Sequence, residues 1–159
     1  MKIDIRPMNY EDKPSVAEIL SNTPEFKPFE VAVAQEVIDS YLSDPLDSGY
    51  HILVAEADSK VAGYICYGPT PLTEGTWDIY WEAVTQEKRG QGIGSVLMES
   101  AEKEIVRAKG RLALIETSST PAYEATRRFF VANGYEIVAC IPDFYTPGDD
   151  ELILQKRLG

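Results

Sequence analysis

The 159-residue chain contains two cysteines and one histidine, and each scarcity removes a class of function. Cys66 and Cys140 both sit in apolar, strand-like runs, so the expectation is two reduced core thiols, not the disulfide framework of a small secreted scaffold. His51 stands alone at the start of an exposed-looking strand and reads as structural. Without a Cys/His cluster no zinc-type ligand set is in view, and no metal is expected. No apolar run is long enough to cross a bilayer, and the amino terminus, MKIDIRPMNYED, has no signal-peptide stretch. A cytoplasmic protein without membrane contact is expected. Cations are also short: 15 Lys and Arg against 26 Asp and Glu leave a net −11 at pH 7. Such a surface is a poor partner for nucleic acid, whose binding depends on Lys and Arg displacing counterions. It suits a cationic small molecule or peptide.

Hydrophobic residues make up 44% of the chain, enough for a core of one ordinary domain spanning 1–159. Lys2 to Met8 alternates as a strand, and Tyr10 to Leu20 follows with a helical stripe of Val16, Ile19 and Leu20. A loop with Pro24 and Pro28 leads to a second helix, Glu30 to Leu42. Tyr50 to Ala57 and Val61 to Tyr67 read as a hairpin about Asp58-Ser59-Lys60, and Trp77 to Thr85 as a further strand. Ile93, Leu97, Ala101, Ile105 and Ala108 form one stripe of a long helix, with Gly110 as its C-cap. Arg111 to Thr117 is a strand, Tyr123 to Ala132 a helix, and Tyr135 to Ile141 and Glu151 to Leu158 are strands flanking a turn-rich loop, Pro142 to Asp150. The order β-α-α-β-β-β-α-β-α-β-β predicts an α/β fold with a mixed sheet.

Between the fourth strand and the long helix lies EKRGQGIGSVLM, residues 87–98. Gly90, Gly92 and Gly94 let the backbone bend sharply and approach a ligand closely. The first N–H groups of the helix lack intrahelical partners and carry partial positive charge, and Lys88 and Arg89 add two full charges. A phosphate-bearing ligand fits there. The string GxxxxGK that a P-loop needs is absent. Gly90 to Ser95 approaches a dinucleotide fingerprint, and Glu116 ends the next strand. Against that reading, a polar spacer, Thr85 to Arg89, separates strand from glycines, and only one βαβ unit is available.

Arg89-Gly90-Gln91-Gly92-Ile93-Gly94 resembles the (Gln/Arg)-x-x-Gly-x-(Gly/Ala) signature of the GCN5-related N-acetyltransferase (GNAT) superfamily. Trp81-Glu82-Ala83-Val84 looks like that family's fourth strand. Thr126 to Tyr135 is similar to its later A-x-x-(Phe/Leu)-Tyr-x-x-x-Gly-(Phe/Tyr) segment, and the element order matches across nearly the whole chain. The resemblance implies a largely antiparallel mixed sheet flanked by helices. It also implies acetyl transfer from acetyl-CoA, as co-substrate, to a primary amine by direct attack in a ternary complex. The diphosphate would lie on backbone N–H groups of Arg89, Gly90, Gln91, Gly92, Ile93, Gly94 and Ser95, and Ala83 and Val84 would pair with the pantetheine arm.

Strict alternation places Asp78, Tyr80, Glu82 and Val84 on one side of the fourth strand, the side expected to line the cleft. Glu82 is then the first candidate to accept the amine proton through water. Asp78 is the second, at the position where histone-type members carry a catalytic Glu. Many relatives protonate the leaving thiolate with a Tyr that is Phe130 here, which has no proton to give. Tyr123 stands where many have an Asn that contacts the coenzyme. Tyr145 is the candidate replacement acid. The family's substrate walls correspond to Phe26, Phe29 and Glu30 and to Asp143 and Phe144. Homodimers are common among members, and one is compatible with this chain. Two alternatives stay open: a CoA-binding sensor or scaffold without turnover, suggested by Phe130, and a nicotinamide-dinucleotide oxidoreductase.

Overall fold

Two apolar clusters, one on each face of a seven-stranded sheet, organise the chain. The computed structural model describes residues 1–159. Its strands are β1 (Ile3–Pro7), β2 (His51–Ala57), β3 (Lys60–Pro69), β4 (Thr76–Val84), β5 (Leu112–Ser118), β6 (Glu136–Thr146) and β7 (Asp149–Arg157), and its helices are α1 (Lys13–Ser21), α2 (Pro28–Ser43), α3 (Ile93–Arg107) and α4 (Glu124–Ala132). Sheet order is β1-β2-β3-β4-β5-β7-β6, antiparallel throughout except for the parallel β4–β5 pair. That pair needs the α3 crossover between its strands. Element order and sheet type are those read from the sequence. No helix is long and apolar enough to cross a membrane.

Four residues of the predicted α3 stripe bury: Ile93, Leu97, Ala101 and Ile105 join Trp77, Ile79, Ala113 and Ile115 in the cluster on one face, while Ala108, just past the helix end, is exposed. On the other face Val16, Leu20, Ile38 and Tyr41 pack on Ile52, Val54, Tyr64 and Ala83. Pro14 and Pro28 sit in the first turns of α1 and α2, where a missing N–H costs no hydrogen bond. Near β1, the Arg6 guanidinium forks onto Asp12 at 2.7 and 2.8 Å and also reaches Glu56 at 2.8 Å, which ties the chain start to β2.

Four expectations change. Cys66 is buried, but Cys140 is exposed, because β6 is the sheet edge and all eleven of its residues are exposed. The segment Pro142–Asp150 is not a loop: β6 runs to Thr146 and β7 starts at Asp149, so only Pro147 and Gly148 turn. Phe144 and Tyr145 are therefore strand residues. At the end of α3 the left-handed residue is Lys109 (φ 65°), not Gly110. Gly110 closes the helix with its N–H on the Ile105 carbonyl, 2.8 Å away. A Cβ there would stand 2.3 Å from Ile105 and 2.8 Å from Trp77, so glycine serves close packing.

The fourth change matters most. Cys66 pairs with Trp81 and Tyr67 with Ile79, so Tyr80 is an extra residue in β4, a bulge. Alternation breaks there. Trp77 and Ile79 face α3, but beyond the bulge Trp81 and Ala83 face α1 and α2, while Val84 packs on the α3 side. Asp78 and Glu82 thus lie on opposite faces, not on one.

Candidate functional site

Pairing between β4 and β5 runs from Thr76↔Leu112 to Ile79↔Ile115 and stops at the bulge. Beyond it β4 keeps β3 on one side and leaves its other edge open from Tyr80 to Val84. The strands part into a slot, and a cavity of ≈590 Å³ opens there. The glycine segment adjoins its lining residues, Gly94 beside Glu82 and Arg89 beside Glu25. Gly90 (φ 77°) and Gly92 (φ 88°) take the left-handed conformation that residues with a Cβ avoid, and a Cβ on either would meet nothing within 4 Å. The backbone N–H groups from Gly90 through Ser95 find no acceptor in the protein. They lie at the positive end of the fifteen-residue α3 dipole. Gly94 is needed for close packing instead, since a Cβ would crowd Phe129 at 3.0 Å and Glu82 Oε1 at 3.3 Å. Six consecutive free donors beside an open strand edge suit a diphosphate carried on an amide-containing arm.

The α1–α2 connection straps the cavity mouth. Phe26 packs edge-on against Trp81, with ring centroids 5.5 Å apart. Glu25 Oε1 lies 3.6 Å from Arg89 Nη1. Tyr123 donates its hydroxyl to the Glu25 carbonyl and to Glu30 Oε2, each at 3.2 Å. Tyr123 therefore borders the cavity with its hydroxyl committed to the strap. Phe26, Phe29, Glu30, Tyr145 and the buried Phe130 line the cavity. Asp143 and Phe144 do not. Asp143 turns its carboxylate to the Gly148 N–H at 2.7 Å, and Phe144 is an exposed edge-strand residue.

Carboxylates reach the slot from both sheet faces. Glu82, on the α3 face, has an enclosed Oε2 with no hydrogen-bond partner. Burial, with the charge of Glu102 adding, pushes its pKa well above the carboxylate range. Asp78, on the opposite face, accepts the Thr70 hydroxyl at 2.6 Å. Glu116 follows the last β4–β5 rung and shares the Asp78 face. Its neighbour there is Glu151 on β7, one diagonal step away in the β5–β7 register. Burial first, then the hydrogen bond and charge of Glu151, push Glu116 up to about 7. Sequence patterning brings in Glu116 only as the acidic residue ending the strand after the near-dinucleotide fingerprint. Its partner lies far along the chain, so strand-by-strand patterning carries no signal of the pair. Tyr145 is pushed up to about 12 by burial and then by Glu151, Glu116, Asp149 and Glu30.

A second cavity, of ≈530 Å³, lies near Arg6, His51, Lys103 and Arg107. Its cations are already matched, Arg6 to Asp12 and Glu56, Lys103 to Glu99 and Arg107 to Glu104. It has no counterpart of the free amides at Gly90–Ser95.

Comparison with known proteins agrees with this geometry. Residues 48–137 match the family model described as the acetyltransferase (GNAT) domain. An uncharacterised N-acetyltransferase of Methanocaldococcus jannaschii is 31% identical over 107 residues, 65% of this chain and 64% of that protein. A crystal structure of a protein assigned to the GNAT acetyltransferases, from Desulfovibrio desulfuricans, superposes with a TM-score of 0.95 at 36% identity, over 99% of this chain and 100% of that one. The PaiA N-acetyltransferase of Thermoplasma acidophilum, solved with coenzyme A, shares the fold at 18% identity, with a TM-score of 0.78 over 99% of each chain. The chain belongs to the GNAT acetyltransferase family, enzymes whose acyl donor is acetyl-CoA.

Proposed function

We propose that the protein transfers an acetyl group from acetyl-CoA to a primary amine, both bound in the slot at once. The observation that carries this reading is the run of unpartnered amides from Gly90 to Ser95 beside the open edge of β4. Those amides and Arg89 hold the diphosphate. The backbone of Ala83 and Val84 receives the pantetheine arm, with Phe130 against it, and an N–H of the open edge stabilises the thioester oxygen as charge develops. The coenzyme-bound PaiA relative supports the placement by its shared fold.

An alkylamine attacks only when neutral, and its pKa is near ~10.4, so a group in the slot must take a proton. Glu82, the first candidate from sequence, has an enclosed Oε2, and burial favours its neutral form. Asp78 already accepts a hydrogen bond from Thr70. Glu116 is poised near neutrality at the point where the strands part, and it is the acceptor we assign, through water. For the leaving thiolate, Tyr145 at about 12 stands well above the ~8.5 of a thiol. It therefore steadies the sulfur by a hydrogen bond, and the thiolate leaves without a full proton transfer. The coenzyme-binding sensor without turnover keeps one observation in its favour, the absence of a titratable group at Phe130.

The test is release of free thiol from acetyl-CoA against an amine library, with mass spectrometry of the products. Calorimetric binding of CoA with no acetylated product from any amine would select the sensor. Tight binding of NAD with none of CoA would reject both. The free thiols of Cys66 and Cys140 suit a reducing, cytoplasmic setting.

A further inference from the structure

We propose that the acceptor is an amine carrying a second protonated nitrogen, a diamine or polyamine; this rests on the acetyl-transfer reading. The cavity is acidic on two separate walls. The sheet wall presents Asp78, Glu116 and Asp149, and the strap presents Glu25 and Glu30. Lys27 is the one cation among the lining residues. Glu25 is matched by Arg89, whereas Asp78, Glu116, Asp149 and Glu30 take part in none of the molecule's ion pairs.

One enclosed oxygen points to a ligand independently of that count. Glu82 lines the cavity, and its Oε2 has no hydrogen-bond partner in the protein. Glu151, 4% exposed and outside the lining, backs Glu116 with a further carboxyl. Enclosed carboxyl groups are matched in folded proteins, and a ligand's ammonium is the group that would match Glu82. One ammonium satisfies one wall. Two nitrogens joined by methylenes satisfy both, the reacting one beside Glu116 and the second at Glu30. Phe26, Trp81 and Tyr123 also line the cavity and offer apolar faces to the methylene spacer.

The experiment compares kcat/KM for α,ω-diaminoalkanes and 1-aminoalkanes of equal length, with an aminocyclitol sugar and a lysine peptide alongside. Diamines should exceed monoamines by about tenfold or more at low salt, the order expected of one additional charge-assisted contact. The advantage should peak at one chain length and shrink as salt is added. Glu30→Gln removes the charge and keeps one acceptor oxygen, enough for the Lys27 N–H, while the Tyr123 hydroxyl retains the Glu25 carbonyl, and it should bring the ratio toward one. A diamine should also raise the melting temperature of the CoA-loaded protein where the monoamine does not. Equal kcat/KM for both series, or a ratio untouched by Glu30→Gln, overturns the inference and leaves acetyl transfer standing. Preference for the sugar or the peptide overturns the linear-amine assignment. No thiol release with any amine and no melting shift with the diamine removes both readings.

Discussion

Glu116 owes its proposed role to position and company. It is the first residue of β5 beyond its pairing with β4, and Glu151 beside it makes the second negative charge costly. A base must be ionised to act, so kcat/KM for a simple amine should climb as pH rises through about 7, where Glu116 loses its proton. Glu151→Gln removes the like charge and should move that limb to lower pH. Glu116→Gln should abolish the limb and lower kcat by ~10²–10⁴-fold. Glu82→Gln should leave the limb in place. A limb that disappears with Glu82→Gln and survives Glu116→Gln would return the assignment to Glu82. Tyr145→Phe, which forfeits one hydrogen bond and no proton transfer, should lower kcat by less than about tenfold.

At the scale of elements, the β4 bulge and the α3 N-terminus do most to shape the slot, and the strap touches both, through Phe26 on Trp81 and Glu25 on Arg89. Glu25 occupies the Arg89 guanidinium that the diphosphate would use. Removing that competitor with Glu25→Gln should tighten CoA binding, by up to about fivefold for a part-exposed pair worth ~1 kcal/mol at most. Unchanged affinity in calorimetry would mean that Arg89 does not reach the diphosphate. Gly94→Ala presses a methyl group into Phe129 and Glu82, and should cost ~1–3 kcal/mol in urea unfolding. Elements with one strong periodicity are legible in the residues themselves: the α3 stripe, the β2–β3 hairpin and the glycine segment. Features that depend on a partner strand are not. The Tyr80 bulge exists only relative to Cys66 and Tyr67 across the ladder, so alternation along β4 alone puts Asp78 and Glu82 on one face. The β6–β7 hairpin is hidden because Pro142, Pro147 and Gly148 mimic loop composition, while an edge strand tolerates them. Glu116 and Glu151 become a pair only through the β5–β7 register.

For the molecule as a whole, the same carboxylates set how stability responds to pH. Asp12 is held below its usual range, first by the Arg6 hydrogen bonds, so its contribution is present above roughly pH 4 and is lost as acid protonates it. Glu116 runs the other way. Its folded pKa of about 7 lies above the unfolded value, so between the two the folded state binds more protons than the unfolded state. Stability then falls as pH rises through that window. Glu82, also raised by burial, has the same sign. The net charge of −11 adds self-repulsion that grows in the same direction. The urea midpoint of the ligand-free protein should therefore be highest near pH 5 and decline toward pH 8. Glu116→Gln should flatten that decline and change little at pH 4, where the native side chain is already protonated in the folded state. Added diamine should restore the midpoint most at pH 8, where the cleft carries most charge, since a ligand that binds only the folded state stabilises it by mass action. A midpoint that climbs steadily from pH 5 to pH 8 would show that the slot carboxylates are matched within the protein, and the acidic cleft would lose its claim on a cationic acceptor.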